Sequence, residues 1–136
     1  MAHFVLVVDD EDIIGVTLEY IINRKSNGEF TAVHITSLKD AFLVANAIKP
    51  DLVLLDVRMP KANGLEHAIK FRDKLGLKVL LMTGWPGVGE LLVELEASGG
   101  VPFPIIPKPY QPEDLLDTMR KLVGPSPLAA SAGTSA

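Results

Sequence analysis

The chain contains no cysteine. That absence excludes disulfides, thiolate metal sites and a cysteine nucleophile, and it is compatible with a reducing compartment. No apolar run approaches the ~20 residues of a membrane-spanning helix, and the opening stretch MAHFVLVVDD reaches an acidic pair too early for a signal peptide. A soluble, cytoplasmic protein without membrane insertion is therefore expected. Basic clusters are missing too: Lys and Arg number 13 against 17 Asp and Glu, for a net charge of −4. With a pI near 5.3 and no basic run, nucleic acid is not expected as a direct partner. There is no internal repeat. The glycine-rich GWPGVG (84–89) lacks the Gly-Lys-Ser/Thr ending of a nucleotide-binding P-loop and reads as a mobile loop. His3, His34 and His67 show no ligand spacing and are expected to be structural or at the surface.

What the chain does have is a regular alternation of two patterns. Its 136 residues suffice for one domain with a real core. Apolar runs FVLVV (4–8), LVLL (52–55), VLLM (79–82) and FPIIP (103–107) read as strands buried on both faces, with a further strand near 31–35. Between them, Ile14, Leu18, Ile21 and Ile22 mark a first helix. Ala41, Phe42, Ala45 and Ile48 mark a second, opened by Ser37 as N-cap with Asp40 three residues on. Leu65, Ala68, Ile69 and Leu75 suggest a third helix, and Val88, Leu91, Leu92 and Leu95 a fourth. Leu115, Leu116, Met119, Leu122 and Val123 give a fifth, started by Pro112 and stopped by Gly124. Strict alternation of five strands and five helices implies a doubly wound α/β fold, a parallel sheet covered on both sides. The folded domain is expected over 1–124. PSPLAASAGTSA (125–136) carries no charge and little bulk, and reads as a flexible tail or linker.

Asp9, Asp10, Asp56, Thr83 and Lys108 each follow one of the apolar runs. In open α/β sheets ligands bind just beyond the carboxyl ends of the strands, so a parallel sheet would gather all five at one edge. The result would be an acidic, metal-binding pocket with one hydroxyl and one ammonium. Taken singly, an Asp after a strand is often an N-cap, a Thr a turn residue and a Lys a solvated surface group. Their common register is what favours function.

VVDDE (7–11), LLDVRMP (54–60) with Gly64, MTG (82–84) and PKPY (107–110) fall in order at suitable spacing. On these motifs the chain resembles the receiver domain of two-component response regulators, over about residues 4–123. The resemblance implies a flavodoxin-like (βα)5 fold with strand order 2-1-3-4-5, like that of chemotaxis regulators. It also implies Mg²⁺ held by Asp10 and Asp56 directly, by Asp9 partly through water, and by the backbone carbonyl of Arg58. Asp56 would be the nucleophile and phosphoacceptor, Lys108 would pair with a phosphoryl oxygen, and Thr83 would hydrogen-bond another. Pro60 and Gly64 would shape the adjacent loop, and the Lys108–Pro109 bond would be cis. The implied partner is a sensor histidine kinase or a histidine phosphotransfer protein, with a separate protein as effector and a monomer or weak homodimer as the working form. Such a domain catalyses only its own phosphorylation and dephosphorylation, so it is not an enzyme in the usual sense.

Two other readings compete with this one. A haloacid-dehalogenase-type phosphatase shares the Asp nucleophile, Mg²⁺, Thr and Lys, but needs a second Asp two residues after the nucleophile, where Arg58 stands. A pseudo-receiver that only binds proteins would not need the five intact site residues. The chain departs from the common receiver pattern at Ile105, where an aromatic switch residue is usual three positions before the lysine. Any conformational response is then expected mainly from residues 84–89, with Trp85 as reporter. VPFPIIPKPYQPEDLL (101–116) is most similar to receivers attached to hybrid sensor kinases.

Overall fold

A computed structural model describes residues 2–56, 64–83 and 103–124. The elements run β1 (His3–Val8), α1 (Asp12–Lys25), β2 (Phe30–Ile35), α2 (Leu38–Ile48), β3 (Leu52–Asp56), α3 (Gly64–Asp73), β4 (Val79–Thr83), β5 (Ile105–Pro107) and α4 (Pro112–Val123). α4 is the last of the five helices expected from sequence; the stretch 88–95 proposed for the fourth lies outside the described residues, as does the tail 125–136. The strands form one sheet in the order β2-β1-β3-β4-β5, and every pairing is parallel.

The period-2 geometry of strands sorts the apolar runs onto two faces. Leu6, Val8, Val53, Leu55, Val79 and Leu81 point to one, where Ala41 and Ala45 of α2 and Ala68 and Phe71 of α3 cover them. Val5, Val7, Leu52, Leu54, Leu80 and Met82 point to the other, against Leu18 and Ile22 of α1 and Leu115, Leu116 and Met119 of α4. All five residues of β3 are buried. That two-sided burial is why the runs are apolar throughout rather than alternating.

Local signals set the element ends. The Ser37 side chain accepts from the Asp40 N–H at 3.3 Å, capping α2 as the sequence suggested. Gly124, at φ 79°, ends α4 in a conformation an L side chain rarely adopts. α3 ends at Asp73, so Leu75 falls beyond the helix it was expected to extend, though it still packs on the core. β5 is shorter than the run that predicted it, beginning at Ile105 rather than Phe103.

β2 is an edge strand, and α1 covers its open side with side chains. Ser26 Oγ donates to the Phe30 carbonyl and accepts from the Phe30 N–H. Two residues along, Asn23 Nδ2 donates to the Ala32 carbonyl at 3.0 Å while its Oδ1 accepts from the Ala32 N–H at 2.8 Å. The His34 N–H donates to Glu19 Oε2 at 2.8 Å. The side chains at 19, 23 and 26 thus occupy outward backbone groups of Phe30, Ala32 and His34 and block the strand's pairing with another chain. Asn23→Ala would strip both bonds from buried Ala32 and is expected to lower unfolding free energy by about 1–3 kcal/mol, the cost of orphaned buried backbone groups. Urea unfolding checks this; a loss below about 0.5 kcal/mol, the scatter of neutral surface substitutions, would refute the edge-covering role.

Candidate functional site

Register brings the acidic residues together. Val8 of β1 pairs with Leu55 of β3, so the next residues along the two strands, Asp9 and Asp56, emerge side by side at the carboxyl edge. Asp10 follows in the turn into α1. One carboxylate oxygen from each of Asp9, Asp10 and Asp56 lies within 4.8 Å of the others. On the far side, Asp56 pairs with Met82 and Thr83 pairs with Pro107. Lys108, the residue after Pro107, therefore enters the same edge.

Lys108 Nζ lies 3.4 Å from Asp56 Oδ2 and 3.9 Å from Asp9 Oδ2. The Lys108–Pro109 bond is cis, as the receiver resemblance implied. Asp9 is fully buried and Asp56 nearly so, whereas Asp10 is exposed. The pocket is thus buried at its floor and open at its rim. Asp9 Oδ1 accepts from the Glu11 N–H at 2.9 Å, but its Oδ2 is buried with no hydrogen-bond donor among the described residues.

Burial pushes the Asp9 carboxyl above its ordinary value; the Glu11 N–H opposes this, the charge of Asp56 adds to it, Lys108 opposes it, and Asp10 adds again. Tyr110, whose hydroxyl lies 3.9 Å from Met82 Sδ, is pushed up to about 12 by burial, then by the charges of Asp9 and Asp56. In both cases burial is the main cause and neighbouring carboxylate charge adds to it.

An acid whose folded value is raised binds its proton more tightly folded than unfolded, so its ionisation costs stability. The metal-free protein is therefore expected to lose stability as pH rises from the unfolded carboxyl value near 3.8 through the raised value of Asp9. Asp9→Asn cannot ionise, so it should remove that pH dependence and be at least as stable as wild type at neutral pH. Denaturant unfolding in chelator checks this; a destabilised variant would refute it.

The donor set suits a hard divalent cation: three carboxylates, one with a buried oxygen to which no described residue donates, and an exposed rim that leaves room for water. The five sequence-proposed site residues divide accordingly. Asp9, Asp10, Asp56 and Lys108 come together. Thr83 ends β4 at the same edge, while its side chain, the Arg58 carbonyl, Pro60 and residues 84–89 with Trp85 lie outside the described residues. Ile105 sits in β5, paired with Leu81 and partly buried against the core cluster that contains it. One contact was missed from sequence: His34, expected to be a structural or surface residue, places Nε2 2.8 Å from the Asp9 carbonyl.

Comparison with known proteins agrees with this geometry. The family model for the response regulator receiver domain matches residues 5–120. The alkaline phosphatase synthesis transcriptional regulatory protein PhoP of Bacillus subtilis is 30% identical over 127 residues, 93% of this chain and 50% of that protein. The DNA-binding response regulator MtrA of Mycobacterium tuberculosis is 30% identical over 120 residues, 88% of this chain and 50% of that protein. The chain thus spans about half the length of the curated relatives it matches. Among solved structures, a CheY-like receiver domain protein from Methanospirillum hungatei superposes with a TM-score of 0.74 at 21% identity, over 90% of this chain and 94% of that one. A putative response regulator from Chloroflexus aurantiacus does so with a TM-score of 0.75 at 21% identity, over 90% and 98%. By its motifs, its sheet order and the family match, this chain belongs to the response regulator receiver domain family.

Proposed function

We propose that Asp56 accepts a phosphoryl group from a phosphohistidine on a sensor histidine kinase or histidine phosphotransfer protein, and later releases it to water. The observation that supports this best is Lys108 Nζ 3.4 Å from Asp56 Oδ2 and 3.9 Å from the buried Asp9 Oδ2. A carboxylate attacking a phosphoryl group brings anion against anion, so positive charge and placement are what the protein must supply.

An oxygen of Asp56 attacks phosphorus as the P–N bond to the donor imidazole breaks. The bonding pair leaves with the imidazole, which takes up a proton, and Asp56 becomes an acyl phosphate. Water then attacks phosphorus, inorganic phosphate departs, and the carboxylate is restored. Lys108, a compact charge already beside Asp56, is placed to hold a phosphoryl oxygen. Buried Asp56 is kept from competing solvent by the strand end that carries it. Asp9, Asp10 and Asp56, with the Arg58 carbonyl, would hold Mg²⁺, which when bound offsets the charge of the transferring oxygens. The Thr83 hydroxyl would donate to another phosphoryl oxygen. We further infer a cytoplasmic location and a protein, rather than nucleic acid, as the downstream reader. The domain acts on itself and turns over no external substrate.

Phosphoramidate or acetyl phosphate with Mg²⁺, followed by intact mass, tests the reading. A single phosphoryl adduct that fails to form in chelator is expected. Absence of any adduct from either donor or a kinase panel would leave a protein-binding pseudo-receiver, and hydrolysis of external phosphoesters would point to a phosphatase.

A further inference from the structure

The turn from β1 into α1 is tied to the end of β2 at both main-chain polar groups of Asp9. Its N–H donates to the Ile35 carbonyl at 3.3 Å, and its carbonyl faces His34 Nε2 at 2.8 Å. A carbonyl can only accept, so Nε2 carries a proton in this contact. The His34 main chain is anchored as well, through its N–H to Glu19 Oε2.

The imidazole reaches that carbonyl by lying over α1 at Gly15. A Cβ built on Gly15 would overlap three ring atoms, Nε2 among them. Gly15 is buried within α1 and its backbone is not in the left-handed region that favours glycine. A mid-helix glycine costs about 1 kcal/mol relative to alanine. The room it leaves for the ring is the physical account of its presence.

Resting on the receiver reading above, we propose that His34 is a positioning residue of the phosphoacceptor site: seated over Gly15, it fixes the Asp9 carbonyl and thereby the aim of the Asp9 and Asp10 carboxylates at a divalent cation. The link is covalent geometry. The Asp9 carbonyl lies in the rigid plane of the peptide joining Asp9 to Asp10. Tilting that plane swings the Cα–Cβ bond of Asp10 on one side and the short side chain of buried Asp9 on the other. Mg²⁺ tolerates little departure from octahedral geometry, and removing a partner that orients a metal ligand commonly weakens binding about 10–100-fold.

The test is Mg²⁺ titration of the full chain, followed by calorimetry and amide resonances, with unfolding in chelator as the fold control. His34→Gln keeps an amide N–H within reach of the carbonyl and should bind Mg²⁺ close to wild type. His34→Leu fills the space without a donor, and Gly15→Ala keeps the donor but evicts the ring. Both should weaken Mg²⁺ binding about 10-fold or more and shift the Asp10 and Glu11 amides even without metal. If either variant fails to fold, His34→Asn, whose shorter amide cannot reach, takes its place with the same expectation. Wild-type affinity in His34→Leu would overturn the proposal while leaving the site reading intact. So would equal weakening in His34→Gln, which would mean the ring only fills space. If wild type itself binds no Mg²⁺, the site reading fails and this proposal with it.

Discussion

Asp56→Asn is expected to abolish phosphoryl uptake while folding at least as stably as wild type. The amide matches the carboxylate in shape, so the end of β3, buried on both faces, is undisturbed. It lacks the anionic oxygen that attacks phosphorus, and removing a covalent nucleophile leaves only what positioning alone can do. A rate loss of at least about 10³-fold follows by analogy with other nucleophile deletions. Stability moves the other way: three carboxylates within 4.8 Å of each other become two, while Lys108 keeps Asp9 as a partner at 3.9 Å. Intact mass after phosphoramidate and Mg²⁺ reads the first effect, and urea unfolding in chelator the second. An adduct on the variant at wild-type yield would remove Asp56 from its role; a marked fall in stability would show that the acidic cluster is not the liability it is taken for.

How far the sequence foretold this site depends on what each residue's signal was. Asp9, Asp10, Asp56 and Lys108 were legible because each stands at the end of an apolar run, Asp10 one residue beyond Asp9. A parallel sheet converts that shared register into proximity: Val8 against Leu55 and Thr83 against Pro107 are enough to bring them to one edge. The helices were legible where local chemistry decides, at the Ser37 cap and the Gly124 stop. β2 was the weakest expectation, and the reason is visible in its partners. Its alternation of buried and half-exposed residues is that of an edge strand, and much of what holds its outer side comes from Asn23, Ser26 and Glu19, whose reach no local periodicity records.

His34 escaped sequence reasoning for a related reason. Ligand spacing in sequence reveals a histidine that binds metal, whereas His34 meets a main-chain carbonyl 25 residues away. A signal was present in Gly15, a glycine inside an otherwise helical pattern without a turn to require it. Its meaning depends on a ring arriving from β2, so it could be noticed in the sequence but not interpreted.

The largest stability effect is expected beneath the opposite face of the sheet, at Phe71. This ring is fully buried among Leu6, Val53, Leu55, Val79 and Leu81 in one core cluster, and its centroid lies 5.8 Å from that of Phe42 on α2. It therefore joins α2, α3 and the sheet at once. Phe71→Ala would lose the transfer free energy of the ring and leave a cavity that three rigid elements cannot close together, which places the cost at about 3–5 kcal/mol. Against the roughly 5–15 kcal/mol by which domains of this size are stable, that is enough to populate the unfolded state near physiological temperature. The strand ends carrying Asp9 and Asp56 continue from residues of this cluster, Val8 and Leu55, so phosphoryl uptake should fall in proportion to the unfolded fraction and recover on cooling. Asp56→Asn should lose uptake at every temperature. Urea unfolding and phosphorylation yield measured together at two temperatures separate the cases. A Phe71→Ala protein within about 1 kcal/mol of wild type would mean the site collapses readily, and that α2 and α3 are not held to the sheet through this ring.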